Sequence, residues 1–402
     1  MSNYTKIYNA NIITPSGFLK DGTLIIADGK IAEISAKNIA VENADNALEI
    51  DARGKYLSPG FIDMHVHGGG GHDFMDNTLE AFLTIAKTHA QYGTTALMPT
   101  TLSCEKEDLL TTLAIYEQAN AVNKEGSDFL GIHIEGPYFA MSQKGAQDPR
   151  YIRNPNPIEY EEILAASKHI KRWSAAPELP GTLEFGRFLQ KNNVLAAIAH
   201  TDAIYEEVVK AFEVGFTHAT HFYSCMSGVS RRNAYRYAGV IESAYLLDDM
   251  TVEIIVDGIH LPAPLLKLIY KIKGAENTAL ITDAMRGAGM PEGKSVLGSL
   301  KDGLEVIIED GVAKLPDRSA FAGSVATTDS LVRNMIKLAD VPLLDAVKMA
   351  SATPAKILNI QDRKGELAKG KDADIVIFDE EINIETTIVK GNVVYTKEEV
   401  KV

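Results

Sequence analysis

Gly60-Phe61-Ile62-Asp63-Met64-His65-Val66-His67-Gly68 is a β-type run that ends in two histidines two positions apart, and its reading decides the fold. Alternate residues of a strand share a face, so His65 and His67 project together from the end of the run. Similar runs follow along the chain: TTALMPTT (94–101), FLGIHIEG (129–136), KRWSAAPE (171–178), VLAAIAHT (194–201), FTHATHFY (216–223), VEIIVDG (252–258) and ALITDAM (279–285). Helical periodicity separates most of them, as in LEAFLTIAKTHAQYG at 79–93 and AIYEEVVKAFEVG at 203–215. Eight strand–helix units in ~300 residues is the count of an α/β (β/α)8 barrel of the TIM type. An open doubly wound sheet needs a dinucleotide-type glycine turn. HGGGGHD at 67–73 has neither G-x-G-x-x-G nor G-K-[ST], so its glycines read as letting a loop pass close to a site.

Outside this region the pattern changes. The first ~55 residues are short β runs, with a hairpin signal at Asp28-Gly29. The last ~40 repeat the pattern, turning at Lys390-Gly391-Asn392. Neither end has enough strands for a stable sheet alone, which predicts one small β-sandwich domain from 1–56 and 357–402 beside a barrel at 57–356.

Lys and Arg number 40 against 54 Asp and Glu, a net charge of −14 over 402 residues, 46% of them hydrophobic. Disorder is excluded by that composition, and nucleic-acid or anionic-membrane partners by the missing positive field. Two cysteines, Cys104 and Cys225, cannot form a disulfide framework and fit a reducing cytosol. No charged start followed by an apolar run opens the chain, and stretches such as VLAAIA at 194–199 are too short to span a bilayer. A cytoplasmic protein is the expectation.

Of the ten histidines, seven fall in or just after the proposed strands, where barrel enzymes carry their chemistry. His65 and His67 end the first strand and can face one metal. Glu135 ends the third and could bridge two ions, with His133 deeper on the same face. His200 ends the fifth. His218 and His221 lie three apart on the sixth, hence on opposite faces, so His221 is chosen and His218 is assigned to packing against helices. Asp283 ends the eighth, placed to accept a proton from an activated water. His260 follows the seventh as a candidate substrate contact. The fourth strand has no lysine at its C-terminal end, which argues against a carboxylated-lysine bridge.

In order, PGFIDMHVHG, HIEGPY, AHTDA, THFYSCM, VDGIHL and LITDAM resemble the amidohydrolase superfamily and, within it, the N-acetylglucosamine-6-phosphate deacetylases. The likeness runs essentially from end to end. It implies hydrolysis of the acetamide of an N-acetylhexosamine 6-phosphate, gluco or galacto, with one or two divalent ions (Zn, Fe, Mn or Co). Glu135, His200 and His221 would hold the ion common to the family, and His65, His67 and Asp283 a second. Asp283 would carry the proton to the leaving amine. His260 matches a substrate-contacting histidine, and Gln147 in KGAQ a position lining the sugar pocket. Two departures stand out: Ser224 replaces the family's Asn, and RRNAYRYAG at 231–239 replaces its phosphate-binding H-R-E-P-G. Arg231, Arg232 and Arg236 are the remaining candidates for the phosphate, acting from a neighbouring subunit if the active form is a homodimer.

Overall fold

A computed structural model describes residues 4–39 and 47–397; residues 1–3, 40–46 and 398–402, all within the expected β domain, lie outside the described residues. Both ends of the described chain enter one eight-stranded sheet. Tyr4–Thr14 and Gly17–Ala27 pair antiparallel, and Lys30–Ser35 follows across Asp28-Gly29, which take φ of 49° and 77° as a tight two-residue turn requires. Leu48–Asp51 pairs alongside the first strand. Tyr56–Pro59 joins the two ends, lying parallel to Tyr4–Thr14 and antiparallel to Ile375–Phe378. Ile384–Val389 and Asn392–Thr396 then complete the sheet around Lys390-Gly391. Its buried face carries Ile7, Ile12 and Leu24 from one end of the chain and Ile375 and Ile388 from the other.

The eight parallel strands between them are Phe61–Val66, Thr94–Pro99, a third in two pieces (Asp128–Phe129 and Ile132–Glu135), Ile170–Ala175, Leu195–Ile198, Phe216–Ala219, Thr251–Ile255 and Thr278–Ile281. They form a curled parallel arrangement in two sheets, which divide within the third strand at Leu130-Gly131. Single bridges at Thr100–His133 and Val66–Ala284 connect the two sheets. The second bridge brings the ends of the first and eighth strands together, with Asp283 N donating to His65 O at 2.9 Å. Below it, the buried Asp63 carboxylate accepts from both the backbone N–H and the hydroxyl of Thr282. The helices turn apolar faces to the strands: Phe82 and Ile85 from Leu79–Ala90, Phe185 and Leu189 from Thr182–Lys191, and Leu266 and Ile269 from Ala263–Lys273.

Three features depart from the sequence expectation. The sixth strand ends at Ala219 rather than 223, because the chain turns through positive φ at His221, Tyr223 and Cys225. The eighth ends at Ile281, with Asp283 itself at φ 50°. Between that strand and the helix Thr328–Ala339 sits an antiparallel insertion of Gly293–Leu297, Leu304–Glu309 and Val312–Lys314. Among the described residues no helix is long and apolar enough to cross a membrane.

Candidate metal centre and active site

The strand ends deliver Glu135 into the middle of four imidazoles. Its Oε1 lies 3.0 Å from His221 Nε2, 3.4 Å from His200 Nε2 and 3.6 Å from His65 Nε2; its Oε2 lies 3.5 Å from His67 Nε2. Asp283 Oδ1 closes the group at 3.1 Å from His67 Nε2 and 3.4 Å from His65 Nε2. All six side chains are buried. Burial alone pushes the Glu135 carboxyl up, but the surrounding imidazoles outweigh it and hold the group well below the usual carboxylate range. Asp283 is likewise held down by His65 and His67 against its burial.

The hydrogen bonds on the far side of the rings decide what these nitrogens are. His65 Nδ1 is 2.9 Å from Glu253 Oε1, and His200 Nδ1 is 2.8 Å from the Gln143 carbonyl. Both partners only accept, so each Nδ1 carries a hydrogen, and the neutral ring is left with a lone pair at Nε2 to offer a cation. Those lone pairs face further nitrogens: His65 and His67 Nε2 are 3.2 Å apart, as are His200 and His221 Nε2. Lone pairs converging with carboxylates suit a cation. Two buried triads, His65–His67–Glu135 and Glu135–His200–His221, each keep their donor atoms within 4.8 Å of one another and share the glutamate. Mixed imidazole and carboxylate donors fit a divalent first-row ion.

Gln147 is buried beside the group: its amide donates to Glu135 Oε2 at 2.7 Å and its carbonyl accepts from Ser103 N at 2.9 Å. It therefore orients the Glu135 carboxylate as well as lining the adjoining cavity. That cavity, of about 230 Å³, is also lined by Ser224, Cys225, His260 and Phe321. His260 is aimed by Asp257, whose Oδ2 accepts from its Nδ1 at 2.6 Å, and Phe321 packs on its ring at 4.6 Å between centroids.

Arg231, Arg232 and Arg236 do not reach this cavity. They lie exposed on a hairpin of Ser230–Arg232 and Tyr235–Tyr237, with Arg231 directly opposite Arg236 and Arg232 over the Tyr237 ring. Among the described residues, no Lys or Arg lines the cavity.

The placement of His218 is corrected. Its Nε2 lies 3.2 Å from Glu253 Oε2, inside the curled sheet rather than among the helices. The opposite-face argument required a strand as far as His221, and the backbone turns before it. Two further residues escaped the sequence reading: Arg172 and Glu253, a fully buried ion pair with contacts of 2.6 and 2.7 Å. The available signal was a charge in mid-strand of otherwise buried runs, IKRWSA and TVEII.

Residues 56–394 match the amidohydrolase family. The chain is 34% identical over 389 residues to the N-acetylglucosamine-6-phosphate deacetylase of Lysinibacillus sphaericus, covering 96% of this chain and 97% of the relative. It is 32% identical over 381 residues to the N-acetylgalactosamine-6-phosphate deacetylase of Escherichia coli O157:H7, covering 94% and 96%. A solved structure of a mutant N-acetyl-D-glucosamine-6-phosphate deacetylase from Mycobacterium smegmatis, in complex with N-acetyl-D-glucosamine-6-phosphate, superposes with a TM-score of 0.87 at 29% identity, over 98% of this chain and all of that one. With a whole-length match of this kind and a histidine–carboxylate centre at its strand ends, the chain belongs to the amidohydrolase family, alongside the N-acetylglucosamine-6-phosphate deacetylases.

Proposed function

We propose that this protein removes the acetyl group of an N-acetylhexosamine 6-phosphate, with N-acetylglucosamine 6-phosphate as the first choice: substrate and water give glucosamine 6-phosphate and acetate. The observation that carries this reading is Glu135 within 3.6 Å of four histidine Nε2 atoms, in a chain 34% identical to an enzyme of that name. The galacto epimer is the second reading, because a relative acting on it is similar to nearly the same degree, at 32%.

Glu135, His200 and His221 would hold one divalent ion (Zn, Fe, Mn or Co), and His65, His67 and Asp283 a second, with Glu135 shared. Such an ion supplies Lewis acidity and lowers the pKa of water toward ~7. Asp283, ionised and buried, takes the proton of the attacking water as the C–O bond forms, and returns it to the departing nitrogen as the C–N bond breaks. Without that return the amine would leave as an anion. His260, Gln147 and Ser224 line the cavity where the sugar would sit.

The phosphate needs a cation that the cavity lining lacks. We assign it to Arg231, Arg232 or Arg236 from the hairpin of a second copy, making the active form a homodimer. Two arginines directly opposite on exposed strands repel each other, and an anion between them relieves this. We also read the two bridged parallel sheets as a (β/α)8 barrel over 57–356, the terminal sheet (1–56 and 357–402) as a β-sandwich domain, and the protein as cytoplasmic.

The test is acetate release from both 6-phosphates and from free N-acetylglucosamine, with metal analysis of the same sample. Turnover confined to the phosphorylated sugars is expected. Equal turnover of free and phosphorylated sugar would replace this substrate by a different amide.

A further inference from the structure

Beneath the six converging side chains, the interior holds a second polar layer. Glu253 of the seventh strand is fully buried, and both of its oxygens are occupied. Oε1 accepts from His65 Nδ1 at 2.9 Å, from Arg172 Nη2 at 2.7 Å and from the backbone N–H of His221 at 3.3 Å. Oε2 takes Arg172 Nη1 at 2.6 Å and faces His218 Nε2 at 3.2 Å. Arg172, on the fourth strand and equally buried, donates further to Thr220 Oγ1 at 2.8 Å and to the Met64 carbonyl at 3.2 Å.

This one carboxylate therefore touches a member of each triad. It holds the ring of His65, from the His65–His67–Glu135 group, and the backbone of His221, from the Glu135–His200–His221 group. Its acceptor-only oxygen fixes a hydrogen of His65 at Nδ1, so that the neutral ring has its lone pair at Nε2. His221 sits at φ +28°, a conformation L residues rarely adopt, and the bond to its N–H is one of the contacts that hold it there. Arg172 keeps Glu253 ionised and stationary through a two-pronged contact that a lysine could not reproduce.

We infer that Glu253, clamped by Arg172, is a positioning residue for both halves of the metal centre, aiming His65 at one ion and fixing the His221 turn beside the other. This rests on the metal reading given above. Two variants separate reach from charge. Glu253→Asp keeps the negative charge beside Arg172 but withdraws it from His65. The double variant Glu253→Gln with Arg172→Met removes both charges together, so neither is left buried alone. The probe is zinc added alone to the full chain and competed against a chelator, with the visible spectrum of the cobalt-loaded protein as a second readout.

Both variants are expected to fold and to bind zinc roughly 10- to 100-fold more weakly than the unaltered protein, the range for partners of metal-ligating histidines, with a changed cobalt spectrum. Folded variants that bind zinc as tightly as the unaltered protein, with the same cobalt spectrum, overturn the inference and leave the metal reading intact. An unaltered protein that takes up no zinc sinks both. Should neither variant fold, nitrogen-15 spectra of the histidine-labelled, unaltered protein decide the matter. His65 protonated at Nδ1 supports the inference, and His65 protonated at Nε2 refutes it.

Discussion

In the proposed reaction Asp283 is the proton carrier, and its replacement gives the sharpest outcome. Asp283→Asn keeps the shape but cannot accept the proton, so kcat is expected to fall by several orders of magnitude, since proton transfer alone contributes about 10²–10⁴-fold. Acetate release paired with metal analysis checks this, because Asp283 also faces His65 and His67. Gln147→Leu should leave one oxygen of Glu135 without its donor and weaken metal binding or activity roughly 10- to 100-fold. Much of this was legible in the sequence. His65, His67 and Glu135 end β-type runs, where two-residue alternation predicts a shared face. His218 and Glu253 were not legible, since alternation says which residues share a face but not which face is the interior. His221 and Asp283 were chosen for their place near strand ends, yet their orientation comes from positive-φ turns that no periodicity encodes.

At the scale of elements, the insertion after the eighth strand was invisible to a count of strand–helix units, because it adds strands without adding a unit. It is held by an apolar cluster around Leu297, Val306 and Ile308 and by Arg286. Its guanidinium pairs with Asp76 at 2.7 Å and donates to the carbonyls of Gly71, Val296 and Gly298, fastening the insertion to the glycine-rich loop after His67. Arg286→Met leaves a buried Asp76 unpaired, a change worth about 3–5 kcal/mol. A lower melting temperature and faster proteolytic cleavage within 293–314 are expected. A second junction is Lys364, whose buried ammonium lies 2.5 Å from Asp374, 3.1 Å from Asp128 and 3.3 Å from Asp372, tying the terminal sheet to the third parallel strand. Burial pushes Asp372 up, but Lys30 and Lys364 outweigh it and hold it below its ordinary value. Its stabilisation is thus complete above the ordinary carboxylate value near ~4 and fades as the pH falls through the depressed one. Asp374 runs the other way, raised by burial despite Lys364, so it opposes folding as the pH rises. Lys364→Met leaves Asp374 without its ion-pair partner, while Asp372 keeps Lys30 and Arg363. The variant's destabilisation should be largest near pH 7 and shrink toward pH 4, as read from denaturant midpoints at the two values.

For the whole molecule, the proposed assembly and the proposed phosphate contact meet in one hairpin. An acidic chain of net charge −14 needs a local positive patch to attract an anionic sugar, and the three exposed arginines are the patch proposed for it. Replacing each with alanine should cost the phosphorylated substrate about 2–3 kcal/mol in kcat/KM at the residue that grips it, with the metal content unchanged. Sedimentation of the unaltered protein should give twice the chain mass. No loss in any of the three variants would return the phosphate to groups outside this hairpin.

The sheet shared by both ends also sets a schedule for biosynthesis. Tyr56–Pro59 is an interior strand in the finished protein, yet its partner Ile375–Phe378 is translated about 300 residues later. At ~5–20 residues per second, that edge waits on the order of 15–60 s with its hydrogen-bonding groups unpaired, while the parallel strands emerge and fold. A ribosome that stops early therefore releases a molecule whose catalytic strands are present but whose N-terminal strands offer a bare edge to the next such chain. Late truncations should accordingly be cleared by aggregation or chaperones rather than persist as slow enzymes.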